Sequence, residues 1–154
     1  MAVHVSNFGQ SICKLKALFF DSPTVIAAVD KAARKVLNHI GGMIRLTARR
    51  SIRKAPSYKA ASKPGKPPLS HTGLLRNYIL YSFDPQSNSV VVGPAALNAK
   101  GKNVPAILEY GGQSTVYSKN GKRKINIKAR PFMNPALVGS QRKITDIWKE
   151  SIRK

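Results

Sequence analysis

The sequence predicts an α+β fold in which a long helix and a C-terminal helix pack on an antiparallel sheet of about four or five strands. Apolar residues recur every three or four positions between residues 22 and 54, and a second helical pattern fills residues 131–154. Between them, in residues 71–130, β-rich runs flank short turns. A chain of 154 residues is long enough for one core, so we expect a single domain.

The long helix is predicted to begin at Ser22 and Pro23, because a hydroxyl can cap free N–H groups and proline suits the first turn. Ahead of it, residues 1–21 predict a short strand and a short helix. The Gly41-Gly42 pair can bend or split the long helix. Its apolar stripe comprises Ile26, Val29, Ala33, Val36, Ile40, Met43 and Thr47.

Residues 55–70 predict a long basic loop or extended arm with four prolines and three lysines. Pro56 ends the preceding helix because proline lacks the amide donor. Loops of this length tend to be functional or disordered. We expect subunit contact, since prolines pre-extend a chain and reduce the ordering cost of binding. The alternatives are that the arm becomes ordered only in an assembly or that it contacts DNA. The residues of this inter-subunit arm are Tyr58, Lys59, Lys63 and Lys66.

Four strands are predicted in the middle of the chain, at residues 78–83, 89–93, 115–119 and 124–128. Asn120-Gly121 is the strongest hairpin signal, since both positions tolerate positive φ. Isoleucines alternate with lysines and an asparagine over residues 124–128, so this strand has one apolar and one basic face.

Three further helical elements are predicted. Thr72 can cap a short turn through Leu74, Leu75 and Arg76, and a second turn at residues 104–110 is stopped by two glycines. The C-terminal helix covers residues 131–154. Its inward side chains are expected to be Ala136, Leu137, Ile144, Ile147, Trp148 and Ile152.

The net charge of +21 is extreme for this length and makes the binding partner the central question. Residues 31–83 hold twelve Lys or Arg and no Asp or Glu. Nucleic acid is the first candidate partner, while an acidic protein or an anionic membrane would satisfy the same charge. No apolar run approaches the ~20 residues that span a bilayer, and no signal-peptide pattern opens the chain, so we expect a cytosolic protein.

Two basic clusters besides the arm are candidate binding sites. The helix cluster is expected to face DNA or an acidic partner, with a solvated helix face as the alternative. It comprises Arg45, Arg49, Arg50, Arg53 and Lys54. At the predicted Asn-Gly turn, one hypothesis is that the tip of the hairpin contacts a partner. The alternative is that its basic residues only make the end of the hairpin soluble. This hairpin-tip cluster comprises Lys119, Lys122, Arg123 and Lys124.

Catalysis finds little support in the sequence. The histidines, His4, His39 and His71, are scattered, and Cys13 has no second cysteine, so no metal-site spacing is present. No paired carboxylates and no glycine-rich phosphate loop occur. We therefore expect no enzyme activity, no cofactor and no metal.

Several landmarks occur in a fixed order along the chain. Ala55-Pro56 closes the long helix, Thr-Gly-Leu-Leu-Arg follows at residues 72–76, Glu109-Tyr110-Gly111 comes next, and Ala129-Arg130-Pro131-Phe132 opens the last helix. Together, over residues 22–154, they resemble the tailed-bacteriophage tail-component family, whose members act at the neck as head-to-tail joining, tail-completion or tail-terminator proteins. The long basic insertion at residues 57–69 departs from the pattern of that family.

The landmark residues are expected to be structural. Phe132 is expected in the core, and Arg130 is expected to pair locally, with Glu109 as a candidate partner. The residues of this structural motif are Thr72, Gly73, Arg76, Glu109, Gly111, Arg130, Pro131 and Phe132.

The resemblance implies a non-enzymatic virion protein that assembles as a ring of six or twelve copies between the head connector and the tail tube. Its neighbours would be those proteins and phage DNA in the channel, and it would occupy the host cytoplasm during assembly. Two other functions stay open. A general nucleic-acid-binding protein, ribosome-associated or architectural, is favoured by charge but not by the sparse aromatic residues, and a small nuclease-like enzyme is the third.

Overall fold

The computed structural model describes residues 22–95, 103–118 and 121–152. Its α+β class, with a long helix in the N-terminal half and a C-terminal helix, confirms the coarse prediction. The strand and helix predicted in residues 1–21 lie outside the described residues. The elements are α1 (Ser22–Ser51), α2 (Leu74–Asn77), β1 (Ile79–Asp84), β2 (Ser89–Pro94), α3 (Val104–Tyr110), β3 (Gly112–Ser118), β4 (Gly121–Ile127) and α4 (Met133–Ile152).

The chain divides into two units, Met1–Lys35 and Val36–Lys154, and the boundary falls within α1. That the chain is a single domain therefore stays a prediction. Of the first unit, the described part is the start of α1, where every residue from 22 to 32 is exposed. Its apolar side chains are 54–60% exposed, and they are Val25, Ile26 and Val29.

Helix α1 begins at the predicted Ser22 but ends at Ser51 rather than at Lys54. The Ser51 hydroxyl donates to the Ala48 carbonyl at 2.8 Å and so satisfies one acceptor of the last turn. The helix runs through Gly41 and Gly42 without a break, so the predicted split is wrong. Both glycines face the side chain of Tyr81, and at Gly41 the Tyr81 and Val90 side chains occupy the space that a Cβ would need.

The buried stripe of α1 is narrower than the predicted one. Val36, Ile40, Ile44 and Ala48 are buried at steps of four. Thr47, predicted to belong to the stripe, is exposed, and its hydroxyl donates to the Met43 carbonyl at 2.9 Å. The stripe is therefore buried in the second half of α1 only.

Within the described ranges the strands form two separate two-stranded antiparallel sheets, which corrects the prediction of one sheet of four or five strands. β1 pairs with β2, from Ile79 opposite Pro94 to Asp84 opposite Ser89, around the predicted turn at residues 85–88. β3 pairs with β4, from Gly112 opposite Ile127. Turn signals are local and specify each hairpin, whereas edge-to-edge pairing of two hairpins depends on their placement in space.

Two apolar clusters form the core of the second unit. In the first, Ala136 of α4 and Phe132, which directly precedes α4, meet Ala48, Ile52 and Ile79. In the second, Val36, Ile40 and Ile44 contact Val92, Ile144 and Ile147. The core thus joins α1 and α4 to the first hairpin.

Helix α4 buries fewer of its apolar residues than predicted. Ala136, Ile144 and Ile147 pack inward as expected. Leu137 and Trp148 are 46% and 36% exposed, so their predicted inward placement is wrong. Each follows an inward residue directly, and one step along a helix turns a side chain by about 100° away from the buried face. None of the described helices has the length and apolarity needed to cross a membrane.

Candidate functional site

Two of the landmarks, Glu-Tyr-Gly and Ala-Arg-Pro-Phe, meet at the start of α4, where Glu109 acts as a cap supplied by another helix. One oxygen of the Glu109 carboxylate accepts from the amides of Phe132 and Met133 at 2.9 and 3.1 Å. The other oxygen accepts from the amide of Asn134 at 2.9 Å. These amides have no hydrogen-bond acceptor within α4. A negative charge at this end also interacts favourably with the positive end of the helix dipole. Glu109 therefore fixes α3 to α4.

This arrangement corrects the expected pairing of Glu109 with Arg130. The Glu109 carboxylate bonds the three backbone amides, and the Arg130 Nε donates instead to the Ser62 carbonyl at 3.2 Å. The Arg130 amide also donates to the Leu108 carbonyl at 2.7 Å. Arg130 therefore links the basic loop to α3, while Phe132 is 1% exposed and lies in the core as expected.

Gly111 closes the same junction. Its φ of +80° is left-handed, and a Cβ there would stand 3.1 Å from both the Ile127 carbonyl oxygen and the Ala129 amide nitrogen. Only glycine fits this position without displacing backbone. The Glu-Tyr-Gly landmark thus needs its glycine for space and its glutamate for capping.

The predicted basic arm is a loop closed on its own chain. At its base the Ala55 amide donates to the Ser70 carbonyl at 2.9 Å, and the Ser70 amide donates to the Arg53 carbonyl at 2.8 Å. Further along, the Gly65 amide donates to the Ala129 carbonyl at 2.9 Å. Its backbone is therefore held at both ends and in the middle.

The side chains predicted for the inter-subunit arm nevertheless point into solvent. Tyr58 is 94% exposed, and its ring centroid lies 6.1 Å from that of His71. Lys59, Lys63 and Lys66 are exposed as well. The loop thus presents a cationic outer surface while its backbone is held.

The Thr-Gly landmark forms the turn into α2. Gly73 takes a left-handed φ of +82°, and its amide donates to the Ser70 hydroxyl at 3.0 Å. Ser70 rather than the predicted Thr72 makes the closer contact, since the Thr72 hydroxyl lies 3.4 Å from the Leu74 amide. Arg76 is exposed.

The helix cluster divides into a structural and a surface part. The Arg45 Nε donates to the Ile79 carbonyl at 2.8 Å, and Arg45 and Arg49 are half-buried. Arg50, Arg53 and Lys54 are exposed. Arg45 therefore helps to hold β1 against α1, and the exposed cations are those after Arg49.

The hairpin-tip cluster divides between two faces of the β3–β4 ribbon, because directly opposed residues share a face. Lys122 and Lys124 lie opposite Tyr117 and Thr115, whereas Arg123 lies opposite Val116 on the other face. Lys119 lies outside the described residues. We call the first side the polar ribbon face, and it consists of Gln113, Thr115, Tyr117, Lys122, Lys124 and Asn126.

Sequence reasoning identified the basic side of β4 but not the β3 residues that join it. Gln113 lies opposite Asn126, so two side-chain amides sit together on the polar ribbon face. The alternation of β4 predicts one half of this face, but the register across the hairpin is needed for the other half.

Two open clefts of about 300 and 330 Å³ lie among the described residues. The first includes His71 and Arg130, and the second includes Glu109 and Asn134. Arg130 and Glu109 already bond backbone groups. Across the described ranges, no group of three His, Cys, Asp or Glu residues is placed to hold a metal ion.

Comparison of the chain with protein-family models, with curated proteins and with solved structures gives no match.

Proposed function

We propose that this chain is a structural virion protein of a tailed phage that forms an oligomeric ring at the neck, where head and tail are joined or completed. The observation that carries the proposal is that two of the family landmarks, Glu-Tyr-Gly and Ala-Arg-Pro-Phe, meet at one junction. Chance similarity of short motifs gives no reason for them to touch. In these two landmarks, Glu109 and Gly111 have structural tasks that require their residue types.

The tasks are specific to the residues. Glu109 caps α4 through the amide of Phe132, and Gly111 gives room to Ala129. Arg130 bonds Ser62 in the basic loop, whose base closes beside the Ala-Pro landmark. This supports the resemblance in fold, and the function follows from the resemblance.

Charge supports an anionic environment for the ring. The exposed cations of the helix cluster and of the basic loop face solvent, and a chain of net charge +21 repels its own copies. Neighbours in a ring need a counter-charge, which DNA in a channel or acidic connector and tube proteins would provide. We propose six or twelve copies, with the virion as the location and the host cytoplasm as the place of assembly.

Exposed apolar side chains supply surface that an oligomer would bury. Tyr110 is 82% exposed beside Leu137 on the second cleft, and Val91 of β2 is 62% exposed. A ring with head-to-tail contacts needs two different surfaces on each subunit. The outer surface of the basic loop, with Tyr58 and its three lysines, is the proposed second surface.

The proposal is tested by the mass of the purified protein and by its presence in particles. Native mass spectrometry is expected to give a closed oligomer, alone or with the tail-tube protein, and peptides of the chain are expected in purified virions. Changing Lys59, Lys63 and Lys66 together to Ala should reduce ring formation. The matched control changes Lys31, Lys143 and Lys149 to Ala. These lysines are also exposed, and their substitution removes the same charge.

A monomer at every concentration, together with virions that lack the chain, would overturn the proposal. An equal loss of ring formation in the two triple variants would contradict the role of the basic loop in subunit contact but would not contradict the ring itself.

A second candidate function is a general nucleic-acid-binding protein, and the polar ribbon face is the observation that favours it. Such a protein should bind free duplex DNA or RNA with a steep salt dependence and should stay small in the mass measurement.

A further inference from the structure

The polar ribbon face of the β3–β4 hairpin is basic and polar and has no acidic residue. It carries two lysines and two side-chain amides, and neither β3 nor β4 contains an acidic residue. All of its side chains are exposed except Thr115, which is half-buried. On the opposite face, Ser114, Ile125 and Ile127 are half-buried, whereas Val116 and Arg123 near the tip are exposed, so the polar ribbon face is the more exposed of the two.

We propose that this face binds the major groove of B-form duplex DNA. Lys122 and Lys124 contact phosphates, and the amides of Gln113 and Asn126 meet base edges. The inference goes beyond the proposed function, because ring assembly does not require it.

The size of the ribbon suits that groove. The B-form major groove is about 12 Å wide and 8.5 Å deep and admits a two-stranded β-ribbon. Strands pair about 4.8 Å apart, and each of these strands has seven residues, which gives a length of roughly 23 Å. Most of the hairpin can therefore enter the groove lengthwise.

The charges are placed where phosphates would lie. Lys122 and Lys124 stand two positions apart on β4, toward the turn end of the hairpin. The Lys122 ammonium lies 5.7 Å from the centroid of the Tyr117 ring on β3, which holds the cation over the face. Lysines near the tip can then reach the DNA backbone as the ribbon lies in the groove.

The amides favour DNA over an acidic protein surface. The lysines alone would provide the charge needed to bind an acidic protein, without a role for the amides. Gln113 and Asn126 lie directly opposite one another, and amide side chains offer both a donor and an acceptor, the pattern that pairs with adenine in the major groove. Duplex RNA fits poorly, because its major groove is too narrow for side chains to enter.

The test is the fluorescence anisotropy of a labelled 20-base-pair DNA titrated with the full chain at several salt concentrations. Lys124→Gln is expected to lower the magnitude of the slope of log K against log salt by about 0.9, the value for one phosphate contact. Arg123→Gln is the matched control, because it removes the same charge from an adjacent exposed position on the opposite face and should leave the slope unchanged.

Two further measurements separate the groove from general charge attraction. The uncharged double change Gln113→Ala with Asn126→Ala should weaken DNA binding with no change in salt slope. A duplex RNA of the same sequence should bind at least tenfold more weakly than the DNA.

Equal losses in Lys124→Gln and Arg123→Gln, or equal binding of RNA and DNA, would overturn the proposal in favour of non-specific attraction. Absence of DNA binding by the unaltered chain would also overturn it and would leave an acidic protein as the partner of this face. Thermal unfolding of each variant establishes that the change has not unfolded the hairpin. Virion incorporation is a separate readout, so failure here leaves the ring proposal standing.

Discussion

The Glu109 carboxylate accepts a hydrogen bond from the Phe132 amide at 2.9 Å, although the two residues are 23 positions apart in the sequence. The start of α4 is therefore capped by a side chain from α3. Replacing this glutamate should therefore destabilise the fold. Glu109→Ala leaves three amides without their acceptor at a buried site, and we expect a loss of about 2–4 kcal/mol in the free energy of unfolding. Glu109→Gln keeps one oxygen and should lose about half as much. Urea unfolding measures both.

Glu150→Ala is the control for Glu109, since Glu150 is an exposed carboxylate on α4. Its effect should stay within about 0.5 kcal/mol. A loss no larger than this in Glu109→Ala would contradict the capping role.

Gly41 and Gly42 should respond differently to substitution by alanine. Both are helical, so alanine gains about 1 kcal/mol of helix propensity at each. At Gly41 the new Cβ would stand 2.6 Å from the Val90 Cγ2 and 2.8 Å from the Tyr81 Cδ2, whereas at Gly42 its nearest neighbour is 3.9 Å away. Overpacking costs about 1–3 kcal/mol. Gly42→Ala should therefore stabilise, and Gly41→Ala should be less stable than Gly42→Ala by about that cost.

Thermal melts of the two variants decide this comparison. Equal melting temperatures would mean that Tyr81 and Val90 move aside freely, and that the close approach of α1 to the first hairpin is not required.

Local signals in this sequence predict local structure well. The Ser22-Pro23 start, the turn at residues 85–88 and the stop at Gly111 all depend on residues adjacent in the chain, and the structure places each as expected. The split between two sheets could not be predicted, because the edge of β2 and the edge of β3 carry no signal for pairing with each other.

The prediction that Glu109 pairs with Arg130 is wrong for a related reason. Opposite charge made Arg130 the natural candidate, but the unpaired amides at the start of α4 compete for the same carboxylate. They are three donors in a fixed arrangement, and they come within reach only when α3 is folded beside α4. Side-chain composition does not reveal backbone donors.

Hydrogen exchange should show that the basic loop is held by Arg130. The Gly65 amide, bonded to the Ala129 carbonyl, is expected to be protected despite its place in an exposed loop. Arg130→Ala removes the bond to Ser62 and should speed exchange at Gly65 roughly tenfold, because a charge-assisted hydrogen bond contributes about 1.5 kcal/mol.

Lys59→Ala is the matched control on the same loop, since Lys59 is exposed and carries the same charge. Exchange at Gly65 should not change in that variant. An unprotected Gly65 in the unaltered chain would show that the loop backbone is not held in solution.

The turn of the first hairpin should make stability depend on acid pH. The Ser87 hydroxyl donates to the Asp84 carboxylate at 2.6 Å and the Gln86 amide donates at 3.0 Å, and these bonds hold the pKa of Asp84 below its ordinary value of 3.8. The folded state then binds fewer protons than the unfolded state between the two pKa values. Stability from Asp84 is therefore full above about pH 4 and is lost as the pH falls through the folded-state pKa.

Asp84→Asn should accordingly lower the melting temperature at pH 7, and the difference from the unaltered chain should shrink below pH 4. Ser87→Ala removes the main donor, so Asp84→Asn should have a smaller effect in that background, and the difference is the coupling between the two side chains. Circular dichroism melts from pH 7 to pH 2.5 measure all four proteins. A difference that stays constant over this range would show that the turn does not favour the ionised form of Asp84.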